Sequence, residues 1–210
     1  VSDTPNGADC RPAGLRERKK LATRQALGIA AMRLAVERGL DNVLVEEISA
    51  AAGVSSRTFN NYFASKYEAI CALAMDRGRQ IGTALRQRPA DEPLGDAIMH
   101  AVLQQYAAAD QPPDKDWIDG VRLVIQSPVL QGEYLKSQYL TQRLLAEVIA
   151  ERTGADLQAD FFPAVMAGAV TTATQVAMER WLLADPPTAL APLIRQALGA
   201  LTGLAVPMAA

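Results

Sequence analysis

Ser56, Arg57, Asn60 and Asn61 stand close together in one short stretch, "VSSRTFNNYFASK" at 54–66. These side chains suit the edges of base pairs. Arginine can donate two hydrogen bonds to guanine, asparagine can pair with the adenine edge, and serine is compatible with either. Thr58 and Tyr62 bring hydroxyls that can reach phosphate, and Lys66 brings an ammonium group beside Ser65, a residue suited to capping the next helix. At ~100° per residue on a helix, Phe59 and Phe63 share one face, while Ser56, Arg57, Asn60 and Asn61 spread over the other. The stretch is therefore both core and surface. The surface is either a reading face for a duplex groove or an ordinary solvated helix face.

The flanking residues bear on that choice. "VEEISAA" reads as a short helix from about Val45 to Ala52, ended by Gly53, which can take the positive φ of a sharp turn. Val54 is an apolar plug between two helices, and Ser55 can cap the second by accepting from its free N–H groups. Two short helices joined by such a turn form a helix-turn-helix, whose second helix enters the major groove. Before it, apolar residues recur with helical spacing from Leu15 to Arg38, with Gly39 as a stop.

In "VEEISAAAGVSSRTFNNYFASKYEAI", residues 45–70, the pattern of Ile48, Ala52-Gly53-Val54-Ser55, Thr58-Phe59, Tyr62-Phe63 and Lys66 resembles the TetR family of transcriptional regulators. The resemblance implies an all-helical homodimer, usually a repressor, released from a near-palindromic DNA operator by a small ligand. Carried over by position, base-edge contacts fall on Ser56, Arg57, Asn60 and Asn61. Phosphate contacts fall on Thr58, Tyr62 and Lys66, assisted by Arg24 and the basic run before it. Two positions depart from the pattern. Val43-Leu44-Val45 stands where many relatives have a threonine, and Asn60 stands where many have tyrosine.

Charge is distributed unevenly along the chain. Residues 1–88 hold 14 Lys/Arg against 9 Asp/Glu, whereas residues 89–210 hold 7 against 14. A basic end on an acidic body fits a polyanion partner at that end, or a plain solvated charge run. Half of the residues are hydrophobic, yet no apolar run approaches the ~18–20 residues of a membrane span, and residues 1–14 lack a signal-peptide core. The expectation is a cytoplasmic protein with no membrane partner. Cys10 and Cys71 have no metal-ligand spacing, and Cys71 falls in a helical pattern as a small hydrophobe. His100 is the only histidine, which leaves a histidine-based triad or metal cluster little to work with. Asp114, Asp116 and Asp119 lack the glycine and terminal glutamate of a calcium loop. Neither catalysis nor a metal or cofactor is expected.

The organisation expected is all-α, with a disordered tail over 1–14, a helix-turn-helix domain over 15–65, and a helical regulatory and dimerisation domain over 66–205. Helices are expected near 94–109, 115–127, 129–153, 158–184 and 188–204. Small residues at Ala164, Gly168, Thr171 and Thr172 permit close helix approach. With Leu193, Ile194 and Leu198 they mark either a dimer interface built as a four-helix bundle or a tight intrachain core. Ligand-pocket candidates are Tyr106, Trp117, Arg122, Gln126, Tyr134, Tyr139 and Trp181. Arg122 in its apolar run would anchor a ligand acid, pair with an internal acid, or snorkel to solvent. The layout from "DWIDGVRLVIQSPVLQGEY" onward resembles TetR regulators that bind acyl-CoA-like ligands, including the mycofactocin-system regulator. That resemblance implies a mainly apolar tunnel. The competing function is a DNA-binding regulator with no small-molecule effector, controlled by a partner protein or by its own concentration.

Overall fold

The computed structural model describes residues 14–106, 115–184 and 189–202. Cys10, Arg11, Asp114 and all of the expected tail except Gly14 lie outside them. The described chain is all-helical: α1 (Leu15–Arg38), a 3-10 turn (Leu40–Asn42), α2 (Val45–Ala51), α3 (Ser56–Asn60), α4 (Lys66–Arg86), α5 (Leu94–Gln104), α6 (Lys115–Gln126), α7 (Gln131–Thr153), α8 (Phe162–Leu182) and α9 (Ala191–Thr202). α3 ends before Phe63, because Tyr62 and Phe63 both donate to the Phe59 carbonyl and close the helix in a turn. α8 starts later than 158. Asp160 folds its carboxylate back onto the Asp156 N–H, holding that stretch as a turn, and Pro163 sits in the first turn of the helix.

Two apolar cores organise these helices. In the first, α1 buries Leu27, Ala30, Ala31, Leu34 and Ala35 at helical spacing. They meet Ile48, Phe59, Phe63, Ile70 and Cys71, and also Val124 and Leu130 from the second half of the chain. The second core gathers α5, α7, α8 and α9 around Leu85, Val102, Leu145, Ile149, Trp181 and Ile194. α4 passes through both, giving Ala69–Ala72 to one and Ile81, Ala84 and Leu85 to the other. At ~1.5 Å per residue it is a rod of about 30 Å.

A close contact fixes α4 on α7. A Cβ built at Gly78 would lie 2.1 Å from Thr141 Oγ1 and 2.9 Å from Thr141 Cβ, so only a glycine lets the helices approach this far. Burial moves the Cys71 thiol up to about 12, with Glu133 adding to the effect. It is therefore an apolar filler at neutral pH.

Candidate nucleic-acid interface and ligand pocket

The candidate reading face is built by local geometry. Gly53 has φ +69°, Ser55 accepts from the Thr58 N–H at 3.2 Å, and Phe59 and Phe63 are 1 % and 2 % exposed with rings 5.6 Å apart. With the aromatics inward, Arg57, Asn60 and Asn61 are exposed, and Ser56, Thr58 and Tyr62 are partly so. Arg16, Arg18, Lys19 and Lys20 are exposed on the first turns of α1. At the start of α2, Glu47 accepts from the Leu44 N–H at 3.1 Å and from Arg38 at 2.7 Å. A carboxylate thus does the capping at the segment where the sequence lacks a threonine.

Lys66 and Arg24, both expected at phosphate, are hydrogen-bonded within the protein. Lys66 Nζ donates to the Leu40 and Val43 carbonyls at 2.7 and 3.0 Å, tying the start of α4 to both ends of the 3-10 segment. Arg24 donates to Asp76 at 3.2 Å and to the Tyr62 carbonyl at 3.4 Å, and its guanidinium lies 4.5 Å above the Phe63 ring. Asp76 is also 3.6 Å from Arg79. This node ties α1 and α4 to the end of the reading unit.

Beside it lies a cavity of about 170 Å³. Its wall includes Met32 of α1; Leu73, Ala74, Arg77 and Gly78 of α4; Trp117, Gly120 and Val121 of α6; Tyr134, Gln138 and Thr141 of α7; and Thr174, Gln175 and Met178 of α8, with Tyr106 following α5. The lining is mainly apolar with a few placed polar groups, the usual composition of a small-molecule site. Gln138 donates to the Tyr134 hydroxyl at 2.9 Å and to Gln175 at 3.4 Å. Thr174 returns its hydroxyl to its own helix at 2.8 Å. Burial is the main cause that raises Tyr134 to about 12, so it stays a neutral phenol.

Three of the seven candidate ligand residues, Tyr106, Trp117 and Tyr134, line this cavity. Trp181 is fully buried with its ring 4.9 Å from Trp117, backing the wall without joining it. Arg122, Gln126 and Tyr139 point outward. Arg122 pairs with Asp119 at 2.9 Å, an acid one turn earlier on α6. Asp119 also pairs with Lys115, whose hydrogen bond is the first cause of its lowered pKa. Sequence reasoning missed Arg77, Met32, Gln138 and Gln175. The helical register of Ile70, Leu73, Ala74 and Ile81 carried the signal, since Arg77 and Gly78 fall on the same stripe.

The interface candidates also divide. Ile194 and Leu198 are 0 % and 4 % exposed within this chain, and Thr171 is buried at the cavity, where Gln142 donates to it at 3.0 Å. Ile194 and Leu198 belong to the intrachain core where α9 packs on α8, and Thr171 faces the cavity and α7. Ala164 and Thr172 are exposed, and Gly168 and Leu193 are partly buried. Around Ala164 and Thr172, α8 leaves an apolar stripe open: Phe161 85 %, Val165 66 %, Val176 51 % and Leu183 82 % exposed.

Comparison with known proteins agrees with this architecture. Residues 29–70 match the bacterial regulatory proteins of the tetR family, and residues 92–204 match the MftR C-terminal domain. The HTH-type transcriptional regulator TcmR of Streptomyces glaucescens is 33% identical over 187 residues, spanning 86% of this chain and 80% of that protein. The chain belongs to the TetR family. A second TetR relative, assigned as the mycofactocin biosynthesis transcriptional regulator MftR of Mycobacterium tuberculosis, is 28% identical over 166 residues, 79% of this chain and 82% of that one. Among solved structures, Thermus thermophilus FadR, a TetR-family repressor in complex with lauroyl-CoA, aligns with a TM-score of 0.56 at 22% identity, covering 89% of this chain and 97% of FadR. That likeness is one of fold. This TetR-type transcriptional regulator has, among its described residues, no helix long and apolar enough to cross a membrane.

Proposed function

We propose that this chain is a homodimeric repressor released from a near-palindromic operator by a small, largely apolar ligand, in the class of fatty acids or acyl-CoAs. The observation that carries the reading is the shared wall of the cavity. Met32 lines it from α1, and α1 and α4 also frame the reading unit. A ligand that prefers one spacing of these helices shifts the population toward that spacing. Both α3 helices of a dimer bind only when their separation matches successive major-groove half-sites. The lauroyl-CoA complex of the FadR relative supports the ligand class. The open α8 stripe supports a two-fold helical interface.

Base reading is assigned to Ser56, Arg57, Asn60 and Asn61, with phosphate contacts from Thr58, Tyr62 and the exposed basic turns of α1. The test begins with selection of a binding site from random duplexes, followed by titration at fixed salt. Arg57→Ala is expected to cost roughly 1–3 kcal/mol at the selected site and to relax one base position. Unchanged affinity would remove Arg57 and its helix from the reading role. Lauric acid and lauroyl-CoA, added to the preformed complex, are expected to release the DNA. If a broader panel of apolar ligands also leaves the complex intact, the effector reading fails.

A further inference from the structure

We infer that the cavity selects ligands bearing an acidic group, and that Arg77 is the residue that receives it; this rests on the cavity being the effector site. Arg77 is a charged side chain of the wall, half-buried on α4, with its guanidinium 4.8 Å from the centre of the Tyr106 ring. That guanidinium makes no hydrogen bond or ion pair to any described residue. The neighbouring cations contrast with it. Arg79 is near Asp76, Arg24 is bound to Asp76, and Arg122 is bound to Asp119. A guanidinium keeps its charge at any physiological pH and offers a planar fork of donors that fits a carboxylate or sulfonate. The Tyr106 ring holds that fork by its face and leaves its N–H edges open.

A second donor faces the same space. The Tyr134 oxygen accepts from Gln138, so its own proton is left to donate, and burial keeps the phenol neutral. Asp116 is the opposing charge on the wall, but it is exposed and therefore screened by water and salt. The rest of the wall, including Leu73, Val121 and Met178, has no charge to offer and suits an apolar body. The ligand class is therefore an apolar organic acid, whose ionised group costs less to bring into the cavity because Arg77 receives it there.

The test uses two fluorescent probes with the same skeleton: anilinonaphthalene sulfonate, an anion, and phenylnaphthylamine, which lacks the sulfonate. The full chain is expected to bind the anion on the order of tenfold more tightly than the neutral probe. Arg77→Gln should erase that preference and leave the neutral probe within about twofold, while Arg77→Lys should retain part of it. Ala74→Trp, which fills the cavity, should abolish binding of both. Equal affinity for the two probes in the unmodified chain, an unchanged preference in Arg77→Gln, or binding that survives Ala74→Trp would each overturn the inference. Operator binding measured in parallel separates it from the effector reading. If the preference depends on Arg77 but no occupant of the cavity affects DNA binding, the acid site stands and the effector reading falls. If neutral compounds release DNA regardless of Arg77, the effector reading stands and this inference falls.

Discussion

Arg24, Arg77 and Arg122 have the same side chain and three different fates. Arg122 lies in an apolar run, Ile118 to Ile125, which invites an inward placement. It points outward because Asp119, three residues earlier, is its neighbour on the helix surface. Arg77 sits in "MDRGR", which reads as a polar surface run, and is inward-facing because α4 packs on both sides at that turn. Arg24 is 14 % exposed and bound to Asp76, itself 7 % exposed. Periodicity made Phe59 and Phe63 legible as core. It could not give the partner of an arginine, which depends on residues far apart in sequence. Removing Arg24 leaves the Asp76 carboxylate with only the longer contact to Arg79, and buried Asp76 Oδ2 already lacks a partner. Arg24→Ala is expected to cost about 3 kcal/mol of stability, the low end for breaking a buried pair, measured by urea unfolding. A loss under about 0.5 kcal/mol would mean that the pair is a surface contact in energetic terms.

At the scale of elements, the helices were legible because apolar residues recur along them and because glycine and proline punctuate them. The contacts between helices were not. Gly78 looks like a weak point in a long helix, yet Thr141 leaves no room for any other side chain there. Gly78→Ala is expected to destabilise by about 1–3 kcal/mol through overpacking. Thr141→Ala should recover only part of this, since Thr141 Cβ is itself 2.9 Å from the added methyl position. A double-mutant cycle in urea measures the coupling; full additivity would show that α4 and α7 do not meet as described. A different joint follows α4. Arg152 donates to the carbonyls of Arg88, Pro89 and Glu92, and Arg88 and His100 both reach the Glu92 carboxylate. The Arg88 hydrogen bond is the first cause that lowers Glu92 to about 2 from an ordinary 4.5. A lowered carboxylate pKa stabilises the fold above the ordinary value and loses that effect as pH falls from 4.5 toward 2. In acid titration of stability, Glu92→Gln should flatten this limb; an identical limb in both proteins would assign acid sensitivity elsewhere.

For the whole molecule, the proposed function assigns the open stripe on α8 to a partner subunit and the basic, helix-turn-helix end to DNA. The small residues of α8 suggested close packing, but sequence alone could not say which of them α9 had already covered. Val165→Asp with Val176→Asp is expected to shift sedimentation toward monomer and to weaken operator binding, since paired half-sites are then lost. A dimer that persists in this variant would place the interface on another face. The sharing of the first core has a separate consequence, for modularity. Val124 and Leu130 complete the core that packs α1 to α4, and Met32 of α1 rests on the backbone at Gly120, where an added Cβ would be 3.3 Å from its sulfur. A hybrid regulator spliced between residues 65 and 66 would therefore inherit two half-sockets that were never fitted to each other. To exchange DNA specificity while keeping the sensor, the graft should be confined to the outward residues of α3, leaving the inner faces of α1 and α4 with their own α6.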